Sequence, residues 1–294
     1  MADQPHLSTL TQGLEQGHAV LAEAVATYAR ALGERLVAAY ALGSLAHGGF
    51  SRLVSDVDLA LILADPLRPT DSARVAAVAR ALKTKGSALY DRLSVFWGTP
   101  SSLVGRVPGG RFPPLDRLDL LEHGRLLRGE DVRSGLVPPS RDELLVAGAL
   151  FALEYLAGLV VGPSHELSTV SEDAVKEIRR PELLLAQGIR RLTKLVLFPV
   201  RFLFTAETGR VGTNDEAVDH YLAADAPPSA ALVAAAFAWR TVPPENDEEV
   251  LSLLEAGMVP LYLHYIDDQR ARLAALGRHD LVEAFRQWWR RLLQ

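Results

Sequence analysis

The hydrophobic pattern changes its period part-way along the chain. Between residues 17 and 36, apolar side chains recur at helical spacing (Val20, Leu21, Ala24, Val25, Tyr28, Leu32), which predicts an amphipathic helix. Two nearly continuous apolar runs follow, Leu36 to Leu42 and Val57 to Leu63, short enough to be buried strands. Asp71 to Lys85 returns to a helical period, with Thr70 or Asp71 as N-cap and Gly86 as the stop. Leu93 to Trp97 predicts a third strand, closed by the turn Gly98-Thr-Pro. Breakers between Gly98 and Pro114 predict a surface loop, whose Arg106 and Arg111 read as solvated charges. A short helix ending near Gly124 and a short strand come next, with His123 in a capping position.

From Arg141 onward the pattern is helical almost throughout. It predicts a helix from Arg141 to Val161, another ended by Gly209, a fresh start at Thr213 or Asn214, and an amphipathic segment from Arg270 to Arg291. Trp288, Trp289 and Leu292 are the packing residues of that last segment. The predicted class is α+β: a small mixed-sheet domain over residues 1–138, then an all-helical domain over 139–294.

Candidate chemistry concentrates where the first two strands meet. Gly43 and Ser44 end the first apolar run, where backbone amides and a hydroxyl can approach phosphate without a bulky side chain in the way. Asp56 and Asp58 open the second. Alternate side chains of an extended strand share a face, so both carboxylates project together while Val57 and Leu59 pack inward. Two hard oxygen ligands on one face suit Mg2+, which keeps its remaining coordination for water and substrate phosphates.

Composition narrows the class further. The 294 residues are 49% hydrophobic and 23% charged, as expected of a soluble globular enzyme of one large or two smaller domains. There is no cysteine, which excludes disulfides, thiolate zinc sites and cysteine nucleophiles. The apolar run Leu144 to Val161 is interrupted by Glu154, and the N-terminus lacks a basic flank with an apolar core, so a cytoplasmic location is expected. A net charge of −5 weighs against a dedicated polyanion binder and for a cationic acceptor.

The order of apolar strand, Gly43-Ser44, small-residue loop and Asp56-Val-Asp58 resembles the nucleotidyltransferase superfamily that includes DNA polymerase beta and the antibiotic nucleotidyltransferases. The segment from Lys194 to Ala217, with Arg201 on an apolar helix and a new helix after Gly209, is similar to the helical domain of the streptomycin and spectinomycin adenylyltransferases. The likeness runs from about Val37 to Leu222. It implies that Gly43 and Ser44 contact the β and γ phosphates of a nucleoside triphosphate, with ATP first in expectation. Asp56 and Asp58 would hold Mg2+, and Arg201 would neutralise phosphate charge across a cleft between the domains. The implied reaction is Mg-dependent transfer of a nucleoside monophosphate to a hydroxyl of a small cationic acceptor such as an aminoglycoside.

Two departures from that pattern bear on activity. The third carboxylate of the family falls at Ser94, and Asp91, three residues earlier, would face the other way on a regular strand. The triphosphate-binding lysine of the next helix falls at Asn214. Glu154 is the acid that could take over as base. Two alternatives therefore stand: a toxin-like enzyme acting on transfer RNA or protein, and a retired module that binds nucleotide without turnover. The arginines from Arg270 to Arg291 could serve a nucleic-acid substrate, but a solvated amphipathic helix explains them better.

Overall fold

The computed structural model describes residues 4–160 and 168–294, with side chains from residue 11 onward. The chain divides into two compact units, Met1–Pro139 and Ser140–Gln294.

The first unit runs α1 (Gln4–Leu32), β1 (Leu36–Leu42), α2 (Gly43–His47), β2 (Val57–Leu63), α3 (Asp71–Lys83), α4 (Ala88–Asp91) and β3 (Leu93–Gly98). It continues with α5 (Pro100–Leu103), α6 (Pro114–Glu122) and β4 (Arg125–Gly129). The strands form one mixed sheet in the order β3-β2-β1-β4. β1 is antiparallel to β2 and β4, whereas β2 and β3 are parallel. Alternation sorts β2 between two apolar layers. Val57, Leu59, Leu61 and Leu63 pack with α1 and α3, while Ala60 and Ile62 join Tyr40, Leu42, Phe96, Leu103 and Leu120 on the opposite face. A strand covered on both faces has no need of alternating polarity, which is why these runs are almost wholly apolar.

Parts of this unit differ from the pattern-based expectation. α1 starts well before residue 17, in a stretch whose glycines and small polar residues dilute the apolar stripe, and it stops at Leu32 because Gly33 turns left-handed at φ +56°. The segment after Gly98 is not all loop. Thr99 and Ser102 form a reciprocal capping box around α5, with Pro100 in its first turn. Arg111 is exposed, as expected, but it is anchored: it pairs with Trp97 through the backbone, donates from Nη1 to the Val95 carbonyl at 2.8 Å and lies over the Phe96 ring at 5.0 Å. Arg106 is exposed, as expected.

The second unit is helical: α7 (Arg141–Tyr155), α8 (Glu172–Arg179), α9 (Pro181–Ala186), α10 (Ile189–Thr208), α11 (Asn214–Leu222), α12 (Ala230–Ala238), α13 (Asp247–Ala275) and α14 (His279–Leu293). Ser140 and Glu143 cap the start of α7 reciprocally. α7 ends at Tyr155, short of expectation, with Gly158 at φ +62° beyond it; Val161 lies outside the described residues. The segment from Arg270 to Arg291 is two helices, broken where Gly277 takes φ +75°. Trp288 and Leu292 are buried in the unit's core and Trp289 packs against it. Among the described residues no helix is long and apolar enough to cross a membrane.

Candidate functional site

β1 hands directly into α2 at Gly43, whose φ of +60° is left-handed and favours glycine. A Cβ built there would lie 2.3 Å from the Asp58 Oδ2, so the absent side chain is what lets the turn sit against the carboxylate. Gly48, also left-handed, closes α2 by donating its amide to the Ser44 carbonyl at 3.0 Å. The chain then returns through a self-bonded loop. Ser51 donates its amide to the Ser55 Oγ at 3.0 Å, and Ser55 donates its own amide to the Ser51 carbonyl at 2.8 Å. Arg92 ties this loop to the start of β3 by donating to the carbonyls of Arg52 and Leu53.

That loop delivers Asp56 to the residue before β2. Asp56 and Asp58 are half-buried, whereas Val57 and Leu59 are fully buried, so the expected alternation holds at the strand start. Asp58 pairs with Leu42 on β1 and with Ser94 on β3. It lies on the face of Ala60 and Ile62, and Ser94 lies on the face of Phe96, which is the same face. The side chain beside Asp58 on the neighbouring strand is therefore a hydroxyl. Asp91 is not on that strand at all; it ends the short helix α4.

A carboxylate that sequence reasoning missed comes from α6. Asp119 is only 9% exposed, and its Oδ2 accepts the Gly43 amide at 2.7 Å. Gly43 is thus held between two acids, Asp119 on its amide and Asp58 against its α-carbon. The available signal was a charge at an apolar stripe position, four residues after Leu115 and beside buried Leu118 and Leu120. His123 is the C-cap of α6, as expected, and its ring meets that of His47 from α2 edge-on at 5.3 Å.

In the helical unit, Arg201 on α10 donates from Nε to the Gly212 carbonyl and holds its guanidinium 5.6 Å above the Phe198 ring. Asn214 is the first residue of α11, behind a Thr213 N-cap whose hydroxyl accepts the Glu216 amide at 3.3 Å. Glu154 is exposed on the last turn of α7.

The donor set fits Mg2+ of one kind. Among the described residues there is no group of three or more His, Asp or Glu side chains that could hold a metal ion by themselves. The two half-buried carboxylates, Asp56 just before β2 and Asp58 on it, instead match a Mg2+ that would share its coordination with substrate phosphates.

No family model matches the chain, and no curated protein matches it in sequence. Among solved structures it is similar to spectinomycin adenyltransferase AAD(9) from Enterococcus faecialis, determined with ATP and spectinomycin, at 12% identity and a TM-score of 0.52. The match covers 81% of this chain and 97% of that one. The chain therefore shares the fold of that structure, a mixed-sheet unit followed by a helical unit.

Proposed function

We propose that the protein transfers a nucleoside monophosphate from a nucleoside triphosphate, ATP first, to a hydroxyl of a small acceptor. The observation that carries this is the meeting of Gly43, Ser44, Asp56 and Asp58 at one end of the β1-β2 pair, in a fold shared with an adenyltransferase. Asp56 and Asp58 are the metal ligands of this reading; Mg2+ bound there would supply charge neutralisation at the phosphates. Ser44 offers its hydroxyl to the phosphate tail next to Gly43, whose own amide is taken up by Asp119, and Arg201 is the phosphate-binding arginine that the resemblance implies for the helical unit. In the transfer an acceptor oxygen forms a bond to the α-phosphorus, the bond from that phosphorus to the pyrophosphate oxygen breaks, and the hydroxyl proton passes to a base. Ser94 cannot be that base at neutral pH, so an acid elsewhere is required, and exposed Glu154 is the first to replace, as Glu154→Gln.

An aminoglycoside-like acceptor is preferred, because the structural neighbour was determined with ATP and spectinomycin and the net charge of −5 suits a cation. A second reading is favoured by Ser94 and Asn214: retention of nucleotide without turnover. Incubation with ATP labelled at the α-phosphate, Mg2+ and a panel of aminoglycosides, against bulk transfer RNA, separates these. Label on an aminoglycoside supports the proposal, label on RNA supports a toxin-like activity, and binding without transfer supports the retired module.

A further inference from the structure

The Gly43 amide, the donor that a phosphate oxygen would use, is held by a carboxylate of the same unit. Asp119 is 9% exposed on α6, and its Oδ2 accepts that amide at 2.7 Å. The contact belongs to a docked pair of elements. Asp119 and the cap His123 stand four residues apart along α6, and Gly43 and His47 stand four residues apart along α2. One end of this ladder meets through the hydrogen bond and the other through imidazole rings 5.3 Å apart. Buried Leu118 and Leu120 hold α6 from behind, as does Arg117, which donates from Nη1 to the Leu103 carbonyl at 2.6 Å. With both backbones held, the amide changes acceptor by rotation of the Asp119 side chain. A carboxylate is a costly acceptor at this place. Asparagine or serine would take the same hydrogen without setting a second negative charge beside Asp58, which lies against the same glycine. An acid here repels other anions and also occupies the donor they would use, since carboxylate and phosphate both take a backbone amide through an anionic oxygen.

We propose that Asp119 is an internal competitor of phosphate at the Gly43 amide. The phosphate tail gains that amide only by displacing the carboxylate, so Asp119 keeps the turn in shape and holds its affinity for polyphosphate down. This rests on the nucleotide-binding reading above and deepens it, since it names the residue that sets how tightly the turn takes the tail.

Calorimetry on the full chain with Mg-ATP, inorganic tripolyphosphate in the presence of Mg2+, and adenosine tests it, together with the nuclear magnetic resonance signal of the Gly43 amide. Asp119→Ala removes the charge and releases the amide, whereas Asp119→Asn removes the charge and keeps an acceptor on it. Asp119→Ala is expected to bind tripolyphosphate about tenfold tighter than wild type and Asp119→Asn only about threefold tighter, with adenosine affinity unchanged. The Gly43 resonance should move when either protein is saturated with tripolyphosphate. Equal gains in the two variants with an unmoved Gly43 resonance would reflect charge alone and overturn the proposal. Affinity no better than wild type in both folded variants overturns it as well. If that happens while wild type binds Mg-ATP and Asp58→Asn abolishes the binding, only this inference fails. If neither wild type nor Asp119→Ala binds Mg-ATP or tripolyphosphate, the nucleotide reading fails with it.

Discussion

Gly43 is the residue on which most of the local geometry depends. Its left-handed φ alone costs a substituted residue about 1–2 kcal/mol, and a methyl group there would also overlap the Asp58 carboxylate. Gly43→Ala is therefore expected to lower stability by at least about 1 kcal/mol in urea denaturation and to displace Asp58, with loss of nucleotide affinity. Asp119 holds the same residue from the other side. Asp119→Ala leaves a half-buried amide without this acceptor, a loss of about 1 kcal/mol, and amide exchange at Gly43 should accelerate by the corresponding factor. Retained protection at Gly43 would show that another group accepts that hydrogen. Ser94 yields a prediction of opposite sign in two conditions. Ser94→Glu adds a third acid beside Asp58, so the variant should melt lower than wild type without divalent ions and gain more from added Mg2+. Identical melting with and without Mg2+ would mean that position 94 does not face the aspartates.

At the scale of elements, the site is held by what lies behind it. α3 is pinned under the sheet by a buried pair, Arg35 to Asp71 at 2.6 Å, with Arg68 donating its amide to the same carboxylate oxygen at 2.8 Å. Burial pushes the Asp71 carboxyl up, but the hydrogen bonds from Arg35 and Arg68 and their positive charges outweigh it and leave its pKa below the usual value. A depressed folded pKa contributes stability above the unfolded value of about 3.9 and loses it as pH falls through the folded one. Asp71→Asn should therefore cost about 3–5 kcal/mol near neutral pH, and its deficit against wild type should shrink progressively below about pH 4. Denaturation curves across that range check it; a deficit independent of pH would mean that the cost is packing alone.

The same scale shows what the sequence made legible. β1, β2 and the start of α11 were readable because apolar runs and caps are local signals. The α13-α14 break was not, since Gly277 sits among residues whose helical period hardly falters on either side. Asp119 escaped for a different reason. Its partner lies 76 residues away, and no period in the chain records such a meeting.

For the whole molecule, each unit carries its own core: one apolar layer on either side of the sheet, and a separate cluster joining α7, α10, α13 and α14. A substitution at the strand start of β2 can therefore remove chemistry without unfolding either core, because Asp56 and Asp58 are half-buried and the apolar residues beside them are untouched. That separation makes one measurement decisive. Mg-ATP is titrated calorimetrically into wild type, Asp56→Asn and Asp58→Asn, each shown by circular dichroism and melting to be folded. The account predicts saturable, Mg-dependent binding to wild type that both substitutions abolish, while adenosine affinity stays unchanged. Equal Mg-ATP affinity in wild type and both folded variants would contradict the assignment of these carboxylates to a nucleotide-bound metal.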